Sequence, residues 1–144
     1  MVMNKFELED PLCDFEEDYS TIYCCGCQTN VTARLTYGRE IYSHRPDLFD
    51  IPFWKCDVCG NYVGCHYKTA DRIRPLGVIP TPEIRNARKE IHKILDPIWK
   101  SGRMSRSQLY SRLNKELNYV YHTAEIRDLE EARRIWKIVK RIGK

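Results

Sequence analysis

Two C-x-x-C pairs, Cys24-Cys25-Gly26-Cys27 and Cys56-Asp57-Val58-Cys59, constrain this chain more than any other feature. Two residues between cysteines let a tight turn aim both sulfurs at one point. Two such turns on adjacent hairpins make the tetrahedral four-thiolate shell that Zn²⁺ favours in structural sites. Gly60, directly after the second pair, supplies the permissive backbone such turns require. The 28 residues between Cys27 and Cys56 exceed the usual spacing of about 15–20. A loop over residues 43–52 (SHRPDLFDIP) absorbs the excess. The spacing predicts one structural zinc on Cys24, Cys27, Cys56 and Cys59, with His44 or His66 as the alternative to one cysteine. Four thiolates leave no open coordination position, so the metal is expected to fold the module rather than catalyse.

The seven cysteines argue against complete disulfide pairing by their odd number. Cys25 sits between two ligands and is expected to point away, and Cys13 lies in the N-terminal segment. No βαβ pattern surrounds the pairs, which speaks against a redox role. No apolar run approaches the roughly 20 residues needed to span a bilayer. The start, MVMNKFELEDPL, lacks the layout of a signal peptide. A cytoplasmic protein is therefore expected, in keeping with a mean hydropathy of −0.57.

The net charge of +4 hides an asymmetry. Residues 1–20 hold seven acids against Lys5, and the remainder is strongly basic, with 23 of the 24 Lys and Arg. An acidic arm ahead of a basic body suits a chain that meets nucleic acid, although a solvated tail has the same composition.

Along the chain, residues 1–20 read as an acidic, weakly ordered arm and residues 21–67 as a zinc ribbon. Residues 68–80 read as a connector and residues 81–144 as a helical unit. Three short strands are expected in the ribbon. Val31, Ala33, Leu35 and Tyr37 alternate with polar neighbours; Phe53 to Cys56 and Tyr62 to Tyr67 follow. In the helical unit, Thr81 is an N-cap followed by Pro82, and Pro97 should end or kink the helix. Ser105 to Gln108 form a capping-box pattern ahead of Leu109, Leu113 and Leu117. The third helix starts at Asp128 and turns Leu129, Ala132, Ile135, Trp136, Val139 and Ile142 inward. The fold class is thus α+β, a small ribbon packed on a C-terminal three-helix unit. The ten residues between the second and third helices exceed the 3–4-residue turn of a helix-turn-helix.

The chain resembles the zinc-finger-containing domain family of phages and prophages over residues 21–140. The resemblance rests on the pair at 24–27, Tyr37-Gly38, WKC-x-x-C at 54–59, YVGCH at 62–66 and RPLG at 74–77. It continues through RKEIHKILDPIWK at 88–100, MSRSQLYSRL at 104–113 and His122. It departs at Gln28, where glycine is expected, at Thr123-Ala124, and at Ala132, where cysteine is expected. The resemblance implies a phage or mobile-element origin and a zinc ribbon fused to helices; it implies no particular activity.

Candidate contact residues divide into two sets. Cations for nucleic acid are expected at Lys68, Arg72 and Arg74 of the connector, with Tyr67 as a stacking aromatic. More are expected at Arg133, Arg134, Lys137, Lys140 and Arg141 of the third helix, opposite Trp136. A polar cleft, binding phosphate or a base, is the second possibility, from Arg85, Arg88, His92 and Asp96 on one helix stripe together with His66. Ion pairing within the fold accounts for the same residues. Adjacent side chains on a strand point to opposite faces, so Cys65 and His66 cannot form a nucleophile–base pair. His66, His92 and His122 lack the spacing of a second metal site. The function expected is non-enzymatic nucleic-acid binding through backbone electrostatics. The alternative is a phage-encoded modulator of a host protein.

Overall fold

A computed structural model of the protein describes residues 19–144. The acidic arm expected over residues 1–20 falls outside the described residues apart from Tyr19 and Ser20, which stand in the first strand. The chain divides into two compact units, one ending at Ile79 and one spanning Pro80–Lys144.

The first unit is an antiparallel meander of four strands, β1 (Tyr19–Cys24), β2 (Thr29–Tyr37), β3 (Pro52–Lys55) and β4 (Tyr62–Gly64), in the order β1-β2-β3-β4. Four strands replace the three expected, because Tyr19–Cys24 pairs with β2 from Tyr19↔Arg34 to Cys24↔Thr29. Its inward positions Ser20, Ile22 and Cys24 include one large apolar side chain, too thin a pattern to read as a strand alone. The last strand is also shorter than the expected Tyr62–Tyr67. After Gly64 the chain makes one bridge, Cys65 to Pro75, and then turns at His66–Thr69.

Side-chain alternation sorts the sheet into two faces. Ile22, Cys24, Ala33, Trp54, Cys56, Val63 and Cys65 form one buried cluster together with Ile79. The Trp54 indole donates to the Ile73 carbonyl at 2.6 Å, so this large ring is buried with its polar atom satisfied. The opposite face holds Tyr42, Phe53 and Tyr62, whose rings meet edge to face with centroids 5.7–5.9 Å apart. Between β2 and β3 the chain makes one helical turn, α1 (Gly38–Ile41), which positions Glu40 over β2. Glu40 accepts from Thr36, from Arg34 at 3.0 Å and from Lys55 at 2.8 Å. These hydrogen bonds, Arg34's foremost, hold its carboxyl well below the usual carboxylate range.

The second unit contains α2 (Pro82–Lys100), α3 (Arg106–Leu117) and α4 (Leu129–Ile142). Each helix starts on the cap its sequence specifies. Thr81 accepts from the Ile84 N–H, Ser105 and Gln108 exchange both bonds of a capping box, and Asp128 accepts from the Glu131 N–H. Pro97 does not end α2, which runs three residues further. Proline removes one backbone donor and clashes with the carbonyl four residues back, and close to a helix end that cost is small enough for packing to override. Ile84, Ile91, Leu95 and Ile98 of α2 are buried, as are Leu109, Leu113 and Leu117 of α3. Ala132, Ile135, Val139 and Ile142 are the buried residues of α4. Leu129, expected on that face, is exposed at the start of the helix. No helix among the described residues is long and apolar enough to cross a membrane.

The capping box is exposed to solvent, so its removal reads out locally. Ser105→Ala should lower stability by about 1 kcal/mol, measured by denaturant unfolding followed through helical circular dichroism. Ser107→Ala, on the exposed face of α3, should change it by less than about 0.5 kcal/mol.

Candidate metal centre

The β1–β2 and β3–β4 connections lie at the same end of the sheet, and each is a cysteine knuckle. In the first, Cys24 closes β1, and the Gln28 N–H returns to the Cys24 carbonyl at 2.7 Å. In the second, the Gly60 N–H returns to the Cys56 carbonyl at 2.7 Å, and the Cys56 N–H bonds the Asn61 carbonyl at 2.8 Å. The residue after each pair has positive φ, +58° at Gln28 and +84° at Gly60. Glycine adopts this region without strain and glutamine does not. Gln28 therefore occupies a left-handed position that the knuckle imposes on it.

The sulfur atoms of Cys24, Cys27, Cys56 and Cys59 all lie within 4.8 Å of one another. Cys24 and Cys59 sulfurs are 3.4 Å apart, and those of Cys27 and Cys56 are 3.6 Å apart. Zn–S bonds of about 2.3 Å in a tetrahedron place sulfurs about 3.8 Å apart. Disulfide sulfurs would be about 2.05 Å apart, so these are thiols gathered for a metal. The donor set and the separations fit one structural zinc ion. The four cysteines are the one such group of metal-binding side chains among the described residues. His44, His66, His92 and His122 join none, so the histidine alternative for the fourth ligand falls.

Surroundings tune the shell. Asn61 donates from its side-chain amide to the Cys59 sulfur at 3.2 Å. Burial raises the Cys59 thiol, but the Asn61 backbone N–H and the neighbouring sulfurs outweigh it and hold the group below its ordinary value. Burial pushes the Cys24 thiol up to about 12, so zinc uptake at neutral pH must displace its proton. The two knuckles also touch. A Cβ on Gly26 would lie 2.7 Å from the Asn61 amide nitrogen and 3.3 Å from the Cys59 sulfur. The Arg34 guanidinium grips Asp57, inside the second knuckle, through two bonds of 2.8 and 2.9 Å. Cys25 is buried away from the shell, its N–H on the Ile79 carbonyl at 2.8 Å.

Residues 20–142 match the family described as a zinc-finger-containing domain. The chain belongs to that family. Neither the curated proteins nor the solved structures contain a match. For this zinc-finger-containing domain the family assignment and the four-sulfur cluster agree on one structural zinc.

The remaining expected site residues are placed as follows. In the connector, the Arg72 guanidinium donates to the carbonyls of Tyr67 and Asp50 at 3.1 and 2.9 Å. Arg74 pairs with Asp71 at 3.3 Å, and the Lys68 ammonium lies 5.7 Å from the Tyr67 ring centre. Arg74 thus holds its own loop, and Arg72 ties that loop to Asp50. On α4, Arg134 reaches the Tyr119 hydroxyl and Arg141 pairs with Glu116. Arg133, Lys137 and Lys140 are exposed. Lys140 does not stand opposite Trp136: its ammonium lies 4.5 Å from the centre of that ring. The 400° between residues 136 and 140 is a turn plus 40°, which keeps them neighbours.

Arg85, Arg88, His92 and Asp96 do line one shallow depression, on α2, together with Lys89 and Lys93. His66 belongs to the first unit. Asp96 accepts from the Trp99 indole at 3.3 Å and lies 3.1 Å from His92 Nδ1, and Arg88 donates to the Ile126 carbonyl at 2.8 Å. These bonds are what ion pairing and hydrogen bonding within the fold require. Sequence reading missed Asn61 and Asp57 as supports of the shell. Their positions, beside and within the second cysteine pair, were the available signal.

Two measurements check the centre. Metal analysis should find one zinc per chain in the native protein and none in Cys56→Ser, which should unfold in the first unit. Asn61→Ala should keep the fold while losing about tenfold or more in zinc affinity by chelator competition.

Proposed function

We propose that this zinc-finger-containing domain binds nucleic acid without catalysing a reaction, mainly through phosphate contacts, in the cytoplasm of a phage-bearing cell. The observation that supports this reading is a cationic stripe on α4. Arg133, Lys137, Lys140 and Lys144 follow one another at spacings of four, three and four residues. At 1.5 Å per residue the three cations within α4, Arg133 to Lys140, span about 10 Å and fall within about 60° around the helix, and Lys144 follows just past its end. All four are exposed, whereas Arg134 and Arg141, at the stripe's edge, have partners within the fold. A row of cations lying along a rigid helix matches a polyanion better than a single anionic group.

The closed sulfur shell gives zinc a structural part in this reading. The contact surface contains no recognition helix entered by a short turn and no aromatic pair on a strand, so little base readout is expected.

Changing Arg133, Lys137 and Lys140 to Ala should flatten the log–log salt dependence of binding to duplex DNA by about 2–3 units, because each lost phosphate contact removes about 0.9. Stability should fall by about 0.5–1 kcal/mol through loss of the Lys140–Trp136 contact. Binding that ignores salt, or an unaltered slope in the triple variant, would overturn the proposal and point to a protein partner.

A further inference from the structure

A groove of about 500 Å³ opens in the second unit where the C-terminal ends of α2 and α4 lie together. Its lining side chains include Lys93, Arg103, Lys140 and Lys144 and no carboxylate, and its apolar lining is the half-buried Ile94, the exposed Pro97 and the buried Ile98. Arg103 is held in place by donating to the Gly143 carbonyl at 2.9 Å. Two of these four cations, Lys140 and Lys144, are also the last two of the α4 stripe. The stripe therefore leads into the groove.

The plain explanation for cations at this end is compensation of the helix dipoles. Each helix C-terminus presents about half a negative charge, and Glu90 neutralises Lys93 in part at 2.9 Å. Together these offset about half of the four positive charges. Even with an α-carboxylate on Lys144 counted, the groove stays positive. Dipole compensation also gives no reason for apolar side chains in the lining among the cations. A duplex hides its bases inside and offers only phosphates to such a surface. A single strand offers both phosphates and apolar base faces, and cations along a groove with bases laid against its walls is the recurrent arrangement for holding one.

We infer that the groove between the ends of α2 and α4 is a binding site for single-stranded nucleic acid, with Lys93, Arg103, Lys140 and Lys144 on the phosphates and Pro97 and Ile94 against a base or sugar. This rests on the nucleic-acid reading above and adds to it a strand class and a location. The α4 stripe receives phosphates of either form; the groove accepts only an unpaired strand.

The test uses the full chain with zinc, and probes of oligo-dT, oligo-U and a DNA duplex, each about twelve nucleotides long. Lys93→Gln combined with Arg103→Gln alters the groove and leaves the outer stripe intact. Losing two contacts should flatten the single-strand salt slope by about 1.4 units, at about 0.7 per contact, and change the duplex slope by less than about half a unit. Lys93→Gln alone, at a side chain 71% exposed, gives half that effect and separates it from any loss of the Arg103–Gly143 bond. Unequal losses on oligo-dT and oligo-U identify which nucleic acid is held. An unchanged single-strand slope, or equal losses on single strand and duplex, would overturn the groove while leaving the stripe in place. A wild-type chain that binds none of the three probes would overturn both.

Discussion

Four sulfurs meeting at one point decide how residues 19–79 can be arranged. The strands are six, nine, four and three residues long. The last two strands are short and bury little surface, and the cluster that the sheet shares holds eight buried residues, three of them cysteines. A structural zinc contributes roughly 10–16 kcal/mol of apparent free energy in small fingers. That exceeds the net stability of many whole domains. The metal also acts at the point of greatest leverage, because it joins the turn of β1–β2 to the turn of β3–β4 at one end of the sheet. Arg34, Glu40, Lys55 and Asp57 reinforce the junction from the outer face, but they are part exposed and water screens them.

The strain at Gln28 follows from the same constraint. A knuckle closes by returning the N–H after its second cysteine to the carbonyl of its first, which drives that residue into the left-handed region. Gly60 meets the demand at no steric cost. Gln28 meets it at a cost that zinc binding offsets, the usual situation when a functional site over-determines a backbone conformation.

Where a local rule governs, the sequence was legible. The cysteine spacing located the shell, and Thr81, Ser105 and Asp128 located the helix starts, since a cap is a bond between near neighbours in the chain. Features set by pairing with distant segments were not legible. Strand β1 exists because its backbone matches β2 over six residues, while its own inward side chains are a serine, an isoleucine and a cysteine. The charged candidates show the same division. Arg72 looked like a cation free for phosphate, yet the carbonyl of Asp50, 22 residues away in sequence, takes part of its guanidinium. The contact between Lys140 and Trp136 is legible in the sequence, since a four-residue separation on a helix makes neighbours. Separation of Arg133 and Lys137 from Arg134 and Arg141 needed the positions of Tyr119 and Glu116.

The central claim is that zinc, rather than apolar burial, holds the first unit together. Amide hydrogen exchange resolved by residue, on the zinc-loaded chain and on the chain stripped by a chelator, tests it most directly. The account predicts that protection across β1–β4, from Tyr19 to Gly64, collapses when zinc is removed and returns when one equivalent is restored. Protection in these strands that persists unchanged without metal would contradict it.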